Sequence, residues 1–221
     1  MLNNVDAVLF DLDGTLLDSA PDLGFAANQL RIARAMEPLP LSHYRAFVGT
    51  GARGMLRIAL GVNPEAPDFE TLKEEFFEAY ERCMGQHSQL FTHVPELLEK
   101  LKSNGLPWGV VTNKSERFAL PIAQNIQALS FSKALVCGDT TPYSKPHAAP
   151  LLEAAKRIGV DAERCIYVGD DERDMIAARA AGMQAVAAAY GYLGGVESVE
   201  AWGADFTINS PAELTRLLGL H

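Results

Sequence analysis

The chain has 221 residues, of which 48% are hydrophobic and 21% charged, and a formal net charge of −9. That length supports a proper hydrophobic core in one large or two small domains. A negative balance with no basic cluster argues against nucleic acid as a partner. No run approaches the ~20 apolar residues of a membrane helix. The N-terminus lacks a basic n-region and is interrupted by Asp6, so no signal peptide is expected. Cys83, Cys137 and Cys165 are odd in number and lack CxxC spacing. They fit free thiols in a reducing cytoplasm. The expected partner is a small metabolite, with neither nucleic acid nor membrane involved. Monomer and homodimer both stay open.

The chain begins with a short apolar strand, Ala7–Phe10. Residues 16–92 then read as consecutive helices: Ala20–Met36 with Ser19 as N-cap, a short one near Ser42–Phe47, Ala52–Leu60, and Phe69–Gln86. Breaks at Glu37–Pro40 and Gly61–Pro67 separate them. From about residue 95 helix and strand alternate. Helices Pro95–Asn104, Glu116–Ile126, Pro150–Ile158, Asp174–Ala181 and Pro211–Leu218 intervene between strands Trp108–Thr112, Ala134–Cys137, Cys165–Val168, Ala185–Ala188 and Phe206–Ile208. The strands are apolar without strict alternation, as in a parallel sheet covered on both faces. The expected fold is therefore α/β, a doubly wound parallel sheet with a small all-helical domain inserted after the first strand. The expected boundaries are 1–15 and 93–221 for the core, and 16–92 for the insert.

Open parallel sheets bind ligands at the carboxyl ends of their strands, and four strand ends here carry polar groups. The first is Asp11-Leu12-Asp13-Gly14-Thr15. An aspartate at that point can attack phosphorus, and a second carboxylate two residues on can serve as general acid and base. Taken alone, a DxD triplet also reads as a solvated turn. The second end is Thr112-Asn113-Lys114, which offers a hydroxyl, an amide and a cation. The third leads to Lys145-Pro146, where a lysine would neutralise a transferring phosphoryl group and keep a nucleophilic aspartate ionised. Alone, any lysine reads as a surface residue. The fourth is Gly169-Asp170-Asp171, with Asp174 three residues on. Carboxylates from Asp11 and Asp170 with a backbone carbonyl would suit magnesium, which takes hard oxygen ligands. For Asp171 and Asp174 both metal contact and helix capping stay open. Arg173 and Arg179 read as surface or ion-pair residues. A divalent cation would also reconcile an acidic protein with an anionic substrate.

Together DxDGT, a strand ending in Thr-Asn, a Lys-Pro and GDDxxxD resemble the haloacid dehalogenase superfamily of phosphohydrolases, and the resemblance covers essentially the whole chain. It implies a magnesium-dependent phosphomonoesterase that works through an aspartyl-phosphate. Asp11 is then the nucleophile and Asp13 the general acid/base, whose main-chain carbonyl also ligates metal. Thr112 and Lys145 hold phosphate, and Asp170 completes the metal ligands. Asn113 and Lys114 are further candidate substrate contacts. The helical insert resembles the family's cap domain. Within the superfamily, Leu16–Ser19, Val48–Ala52, Gly105–Lys114 and Tyr190-Gly191-Tyr192 resemble phosphoglycolate phosphatases. Gly51–Met55 and Trp202–Asp205 are at least as similar to enzymes acting on N-acetylmuramate 6-phosphate. His147-Ala148-Ala149 departs from the family's usual second proline in the loop after Lys145-Pro146.

Two other function classes share these residues. A phosphomutase would return the phosphoryl group to a sugar. A receiver-like signalling domain would carry its acidic pair early in the chain and has no place for the helical insert. The stretch Gly49–Gly54 satisfies GxGxxG, but no clear strand precedes it and helix follows, so a dinucleotide site is not expected. In the cap reading this loop faces the site, and Arg53 contacts a substrate carboxylate or sugar; otherwise it is a surface arginine. His43, His87, His93, His147 and His221 show no metal spacing.

Overall fold

The computed structural model describes residues 4–195 and 198–220. His221 and the first three residues, on which part of the N-terminal reading falls, lie outside the described residues. The chain forms two compact units, Met1–Leu17 with Leu90–His221, and Asp18–Gln89.

The first unit is built on a six-stranded sheet. Its strands are β1 (Ala7–Phe10), β4 (Trp108–Val111), β5 (Leu135–Val136), β6 (Cys165–Gly169), β7 (Gln184–Ala188) and β8 (Phe206–Ile208), in the order β5-β4-β1-β6-β7-β8. All neighbours are parallel. Every residue of β1, β4 and β6 is buried. On one face Leu9, Val111 and Tyr167 pack with Leu151 and Ala154 of α7 (Ala149–Ile158) and with Met175 and Ala178 of α8 (Glu172–Ala180). Residues of opposite parity are buried too, and Phe10 meets Trp108 edge to face at 6.2 Å. Burial on both faces is why the strand sequences do not alternate. The register pairs Phe10 with both Val110 and Val168, so β1, β4 and β6 end at one level.

Helices α5 (Val94–Ser103), α6 (Glu116–Asn125) and α9 (Pro211–Leu217) complete this unit. At the boundary with the second unit, β2 (Leu17–Asp18) and β3 (Gln89–Leu90) pair as a two-stranded ribbon. At two residues each, these strands are too short to carry a periodic signal.

Apart from its first and last residues, which belong to that ribbon, the second unit is built of helices: α1 (Ala20–Ile32), α2 (Leu41–Arg45), α3 (Gly51–Leu60) and α4 (Phe69–Cys83). Tyr44, Met55, Leu56, Phe76 and Tyr80 form its buried interior. Two helices stop short of the sequence expectation. After α1, Ala35 takes a left-handed conformation with φ of 54° and Met36 N–H donates back to Arg31 O at 2.9 Å, which closes the helix. After α4, the buried carboxylate of Asp22 accepts N–H groups from Gly85 at 2.7 Å, His87 at 2.9 Å and Ser88 at 3.2 Å. Those donors are thereby withdrawn from helical pairing. The GxGxxG stretch enters α3 from a 3-10 turn at Val48–Thr50, and no strand delivers it.

All three cysteines are free and buried. No helix among the described residues is long and apolar enough to cross a membrane.

Candidate active site

The shared level of β1, β4 and β6 brings Asp11, Asp13, Thr112, Asn113, Lys114, Lys145 and Asp170 to one edge of the sheet. Asp11 continues β1, its N–H donating to Val168 O at 2.9 Å. Beyond it the chain reverses tightly. Leu12 O accepts from Leu16 N–H at 3.0 Å and Leu17 N–H at 2.8 Å, which turns Asp13 back beside Asp11. Gly14, with φ of 94°, closes this turn against Asp170: a Cβ there would lie 2.1 Å from Asp170 Oδ2.

Lys145 is the hub. It is 4% exposed, and its three ammonium hydrogens meet three acceptors: Asp11 Oδ1 at 2.9 Å, Asp174 Oδ1 at 2.7 Å and Tyr167 Oη at 2.7 Å. Burial by itself would lower the lysine, but Asp11 and Asp174 outweigh it and hold the ammonium above its ordinary value. Asn113 fixes the backbone beneath it. Its Nδ2 donates to Lys145 O at 2.9 Å, and its Oδ1 accepts from Lys145 N–H at 2.9 Å. The Asn113 amide, a candidate substrate contact from the sequence, positions the lysine main chain.

Lys114 grips the other carboxylate, with Nζ 2.9 Å and 3.1 Å from the two oxygens of Asp13. Its N–H donates to Thr112 Oγ1 at 3.1 Å. The Thr112 hydroxyl hydrogen is thereby directed elsewhere, and that side chain is almost fully buried.

Asp170 is held by Thr15 Oγ1, donating to Oδ1 at 3.2 Å, and by Tyr192 N–H, donating to Oδ2 at 2.7 Å. The Tyr190-Gly191-Tyr192 segment braces it. Tyr190 Oη donates to Thr15 O at 3.0 Å, and Phe91 packs on the rings of Tyr190 and Tyr192 at 5.4 and 6.3 Å.

The two open aspartates resolve differently. Asp171 is the N-cap of α8, accepting from Arg173 N–H at 2.9 Å and pairing with the Arg173 guanidinium at 2.8 Å. Burial would raise its carboxyl, but Arg173 holds it below the ordinary range. Asp174 closes the capping box, its Oδ2 accepting from Asp171 N–H at 3.1 Å, while its Oδ1 anchors Lys145. Arg179 donates to the carbonyls of Trp202 and Gly203 at 2.6 and 2.7 Å. Arg53 is an exposed residue of α3 in the helical unit.

Oxygens of Asp11, Asp170 and Asp174 all lie within 4.8 Å of one another. Three carboxylates face one ammonium, which leaves surplus negative charge in a buried place. Burial therefore pushes Asp11 up to about 7 and Asp170 well above the carboxylate range, with the neighbouring aspartates adding to it. A divalent cation held by hard oxygen donors would remove that surplus, so the residues fit the magnesium expected from the sequence.

Some functional contacts were not foreseen. Asp174 as the partner of Lys145 and the Tyr192 N–H on Asp170 join residues far apart in the chain, without a local signal. Tyr167 did leave one: a tyrosine in a fully buried strand requires a partner for its hydroxyl.

The family model for haloacid dehalogenase-like hydrolases matches residues 8–188. A phosphoglycolate phosphatase from Xanthomonas campestris pv. campestris is 45% identical over 208 residues, covering 94% of each chain. The N-acetylmuramic acid 6-phosphate phosphatase of Pseudomonas aeruginosa is 41% identical over 212 residues, covering 96% of this chain and 94% of its own. The crystal structure of a predicted phosphoglycolate phosphatase from Haemophilus somnus superposes with a TM-score of 0.86 at 26% identity, covering 99% of this chain and all of that one. With its site at the ends of parallel strands and relatives of this closeness along nearly its whole length, the chain belongs to the haloacid dehalogenase-like hydrolases.

Proposed function

We propose that the protein is a magnesium-dependent phosphomonoesterase that works through an aspartyl-phosphate, with 2-phosphoglycolate as its substrate. One observation carries the reaction type: a fully saturated lysine ammonium 2.9 Å from the Asp11 carboxylate, within a carboxylate cluster suited to a divalent cation. In this reading an Asp11 carboxylate oxygen bonds to phosphorus, and the bond from phosphorus to the ester oxygen breaks. Asp13 gives its proton to the departing oxygen. Asp13 then takes a proton from water, the water oxygen bonds to phosphorus, and the acyl-phosphate bond breaks to restore Asp11. The charge of the Lys145 ammonium stabilises the phosphoryl group, and the Thr112 hydroxyl holds one of its oxygens. Asp11, Asp170 and the Asp13 main-chain carbonyl would hold magnesium, which supplies charge neutralisation at the transferring phosphoryl group.

The helical unit is read as the family's cap domain, with Arg53, together with Lys114, as contacts to the remainder of the substrate. A cytoplasmic location fits three free, buried thiols. The phosphoglycolate reading draws on the 45% identity to the Xanthomonas enzyme. A second reading, N-acetylmuramate 6-phosphate, draws on the 41% identity to the Pseudomonas enzyme.

The test is phosphate release from both compounds and common hexose 6-phosphates, with magnesium and with chelator. Magnesium-dependent release that is abolished in Asp11→Asn and strongest for one compound identifies the substrate. Transfer of the phosphoryl group back to a sugar without free phosphate would turn the assignment to a mutase. Full activity in Asp11→Asn would remove the aspartyl-phosphate.

A further inference from the structure

We propose that Tyr167 is a positioning residue of the site, its hydroxyl acting as the uncharged third acceptor that fixes the Lys145 ammonium relative to the β4 strand end. The inference rests on the phosphatase reading only for its kinetic consequence.

Two ammonium hydrogens of Lys145 go to the carboxylates of Asp11 and Asp174, and the third goes to Tyr167 Oη at 2.7 Å. Tyr167 Oη in turn donates to Val111 O at 2.8 Å. Its contact with Asp174 Oδ1 is longer, at 3.3 Å, so the single hydroxyl hydrogen is placed on the carbonyl. Burial, with Asp174 and Asp11 nearby, pushes the phenol well above its ordinary value, so it remains protonated and able to donate.

Packing does not explain the hydroxyl. The other residues of β6, Cys165, Ile166, Val168 and Gly169, are apolar and buried, and Tyr167 is 0% exposed. A phenylalanine would fill the same space. What the hydroxyl adds is a link across the sheet. Strands β4 and β6 flank β1 on opposite sides, and the tyrosine reaches from one to the other. Val111 immediately precedes Thr112. The chain Lys145–Tyr167–Val111 therefore sets the spacing between Lys145 and Thr112. A third carboxylate in place of the hydroxyl would hold the lysine equally well but would add charge to an already acidic cluster. An apolar residue would leave an ammonium hydrogen unmet where solvent scarcely reaches.

Tyr167→Phe removes only this oxygen. We expect kcat to fall about ten- to hundredfold, the range that one hydrogen bond to a charged group spans. KM should stay within about twofold and the fold should be retained. A general loosening would move both parameters. The second readout needs no turnover: the slowly exchanging ammonium protons of Lys145, followed by 1H–15N NMR of the full chain and assigned by their loss in Lys145→Met. In Tyr167→Phe their solvent exchange should quicken at least about tenfold, as one of three hydrogen bonds is lost. Unchanged exchange would overturn the proposal, even if no phosphomonoester proves to be a substrate. Unchanged kcat in an active enzyme would overturn it equally.

Discussion

Asn113 and Lys145 clasp one another through a reciprocal pair of hydrogen bonds, each 2.9 Å long, between the asparagine amide and the lysine main chain. The pair ties the strand end after β4 to the loop that carries the lysine, across 32 positions of sequence. Asn113→Ala removes both bonds, so the Lys145 main chain loses this anchor and its ammonium can shift. Turnover should fall by about tenfold or more, because a displaced ammonium meets the phosphoryl group off line. Inorganic-phosphate inhibition should weaken in parallel. Kinetics at wild-type level would show that the loop holds Lys145 without the clasp.

The surplus of carboxylates predicts how pH and metal act together. Asp11, unfolded, titrates near the ordinary aspartate value of 3.8; folded and metal-free, burial pushes it up to about 7. A raised folded value means that the native state holds the proton more tightly. The associated stability is fully present below the unfolded value and is lost as pH rises through the folded one. Metal-free protein should therefore lose stability between about pH 4 and 7 through this group, with Asp170 acting in the same direction. Magnesium competes with the proton, so its affinity should rise with pH and level off above about 7. Thermal unfolding with chelator and with magnesium should show a gap in Tm that widens from pH 5 to pH 8. Calorimetric titrations in buffers of different ionisation enthalpy should show proton release on binding. A Tm gap independent of pH would contradict this account.

The parts of the architecture set by local chemistry were legible in the sequence. Strand β1 and strand β8 carry the bounds that their apolar runs suggest. Several helices end where a glycine follows, as α7 does at Gly159. The strand-end position of Asp11, Thr112 and Asp170 followed from the parallel pattern. What escaped was decided by pairings distant in sequence. Helix α4 ends at Cys83 because Asp22, some sixty residues earlier, captures the following N–H groups. Asn113 serves Lys145 because the folded loop offers a main-chain donor and acceptor at the amide's own spacing. Asp174 could be read from sequence as a capping residue, which it is, but not as the lysine's anchor.

The Asp22 arrangement makes a quantitative contrast with surface charge. Its carboxylate accepts three main-chain N–H groups and the Ser88 hydroxyl, all within the helical unit. Asp22→Ala leaves those donors without an acceptor in a buried place and should cost about 3 kcal/mol. Glu75→Ala removes the ion pair with Arg34, whose partners are 37% and 35% exposed, and should cost about 0.5 kcal/mol. Urea denaturation of both variants checks the ranking. Equal losses would mean that the residue 85–88 turn is held by other contacts.

Gly191 tests whether the candidate metal ligands are placed by their surroundings. A Cβ at this position would lie 2.3 Å from Asp170 Cβ and 2.4 Å from Gly14 O, closer than any real contact permits. Neither neighbour can yield cheaply. One is the root of a candidate ligand, and the other belongs to the turn that carries Asp13. Gly191→Ala must therefore move either Asp170 or the Tyr190–Tyr192 segment, and in the second case Asp170 loses the Tyr192 N–H at 2.7 Å. Both routes misplace the same carboxylate. Magnesium affinity measured calorimetrically without substrate should fall by about tenfold or more, the usual consequence of disturbing the groups that orient a ligand. A variant that binds magnesium as tightly as the parent would mean that Asp170 keeps its position without this brace, and that the close packing of Gly191 serves only the fold.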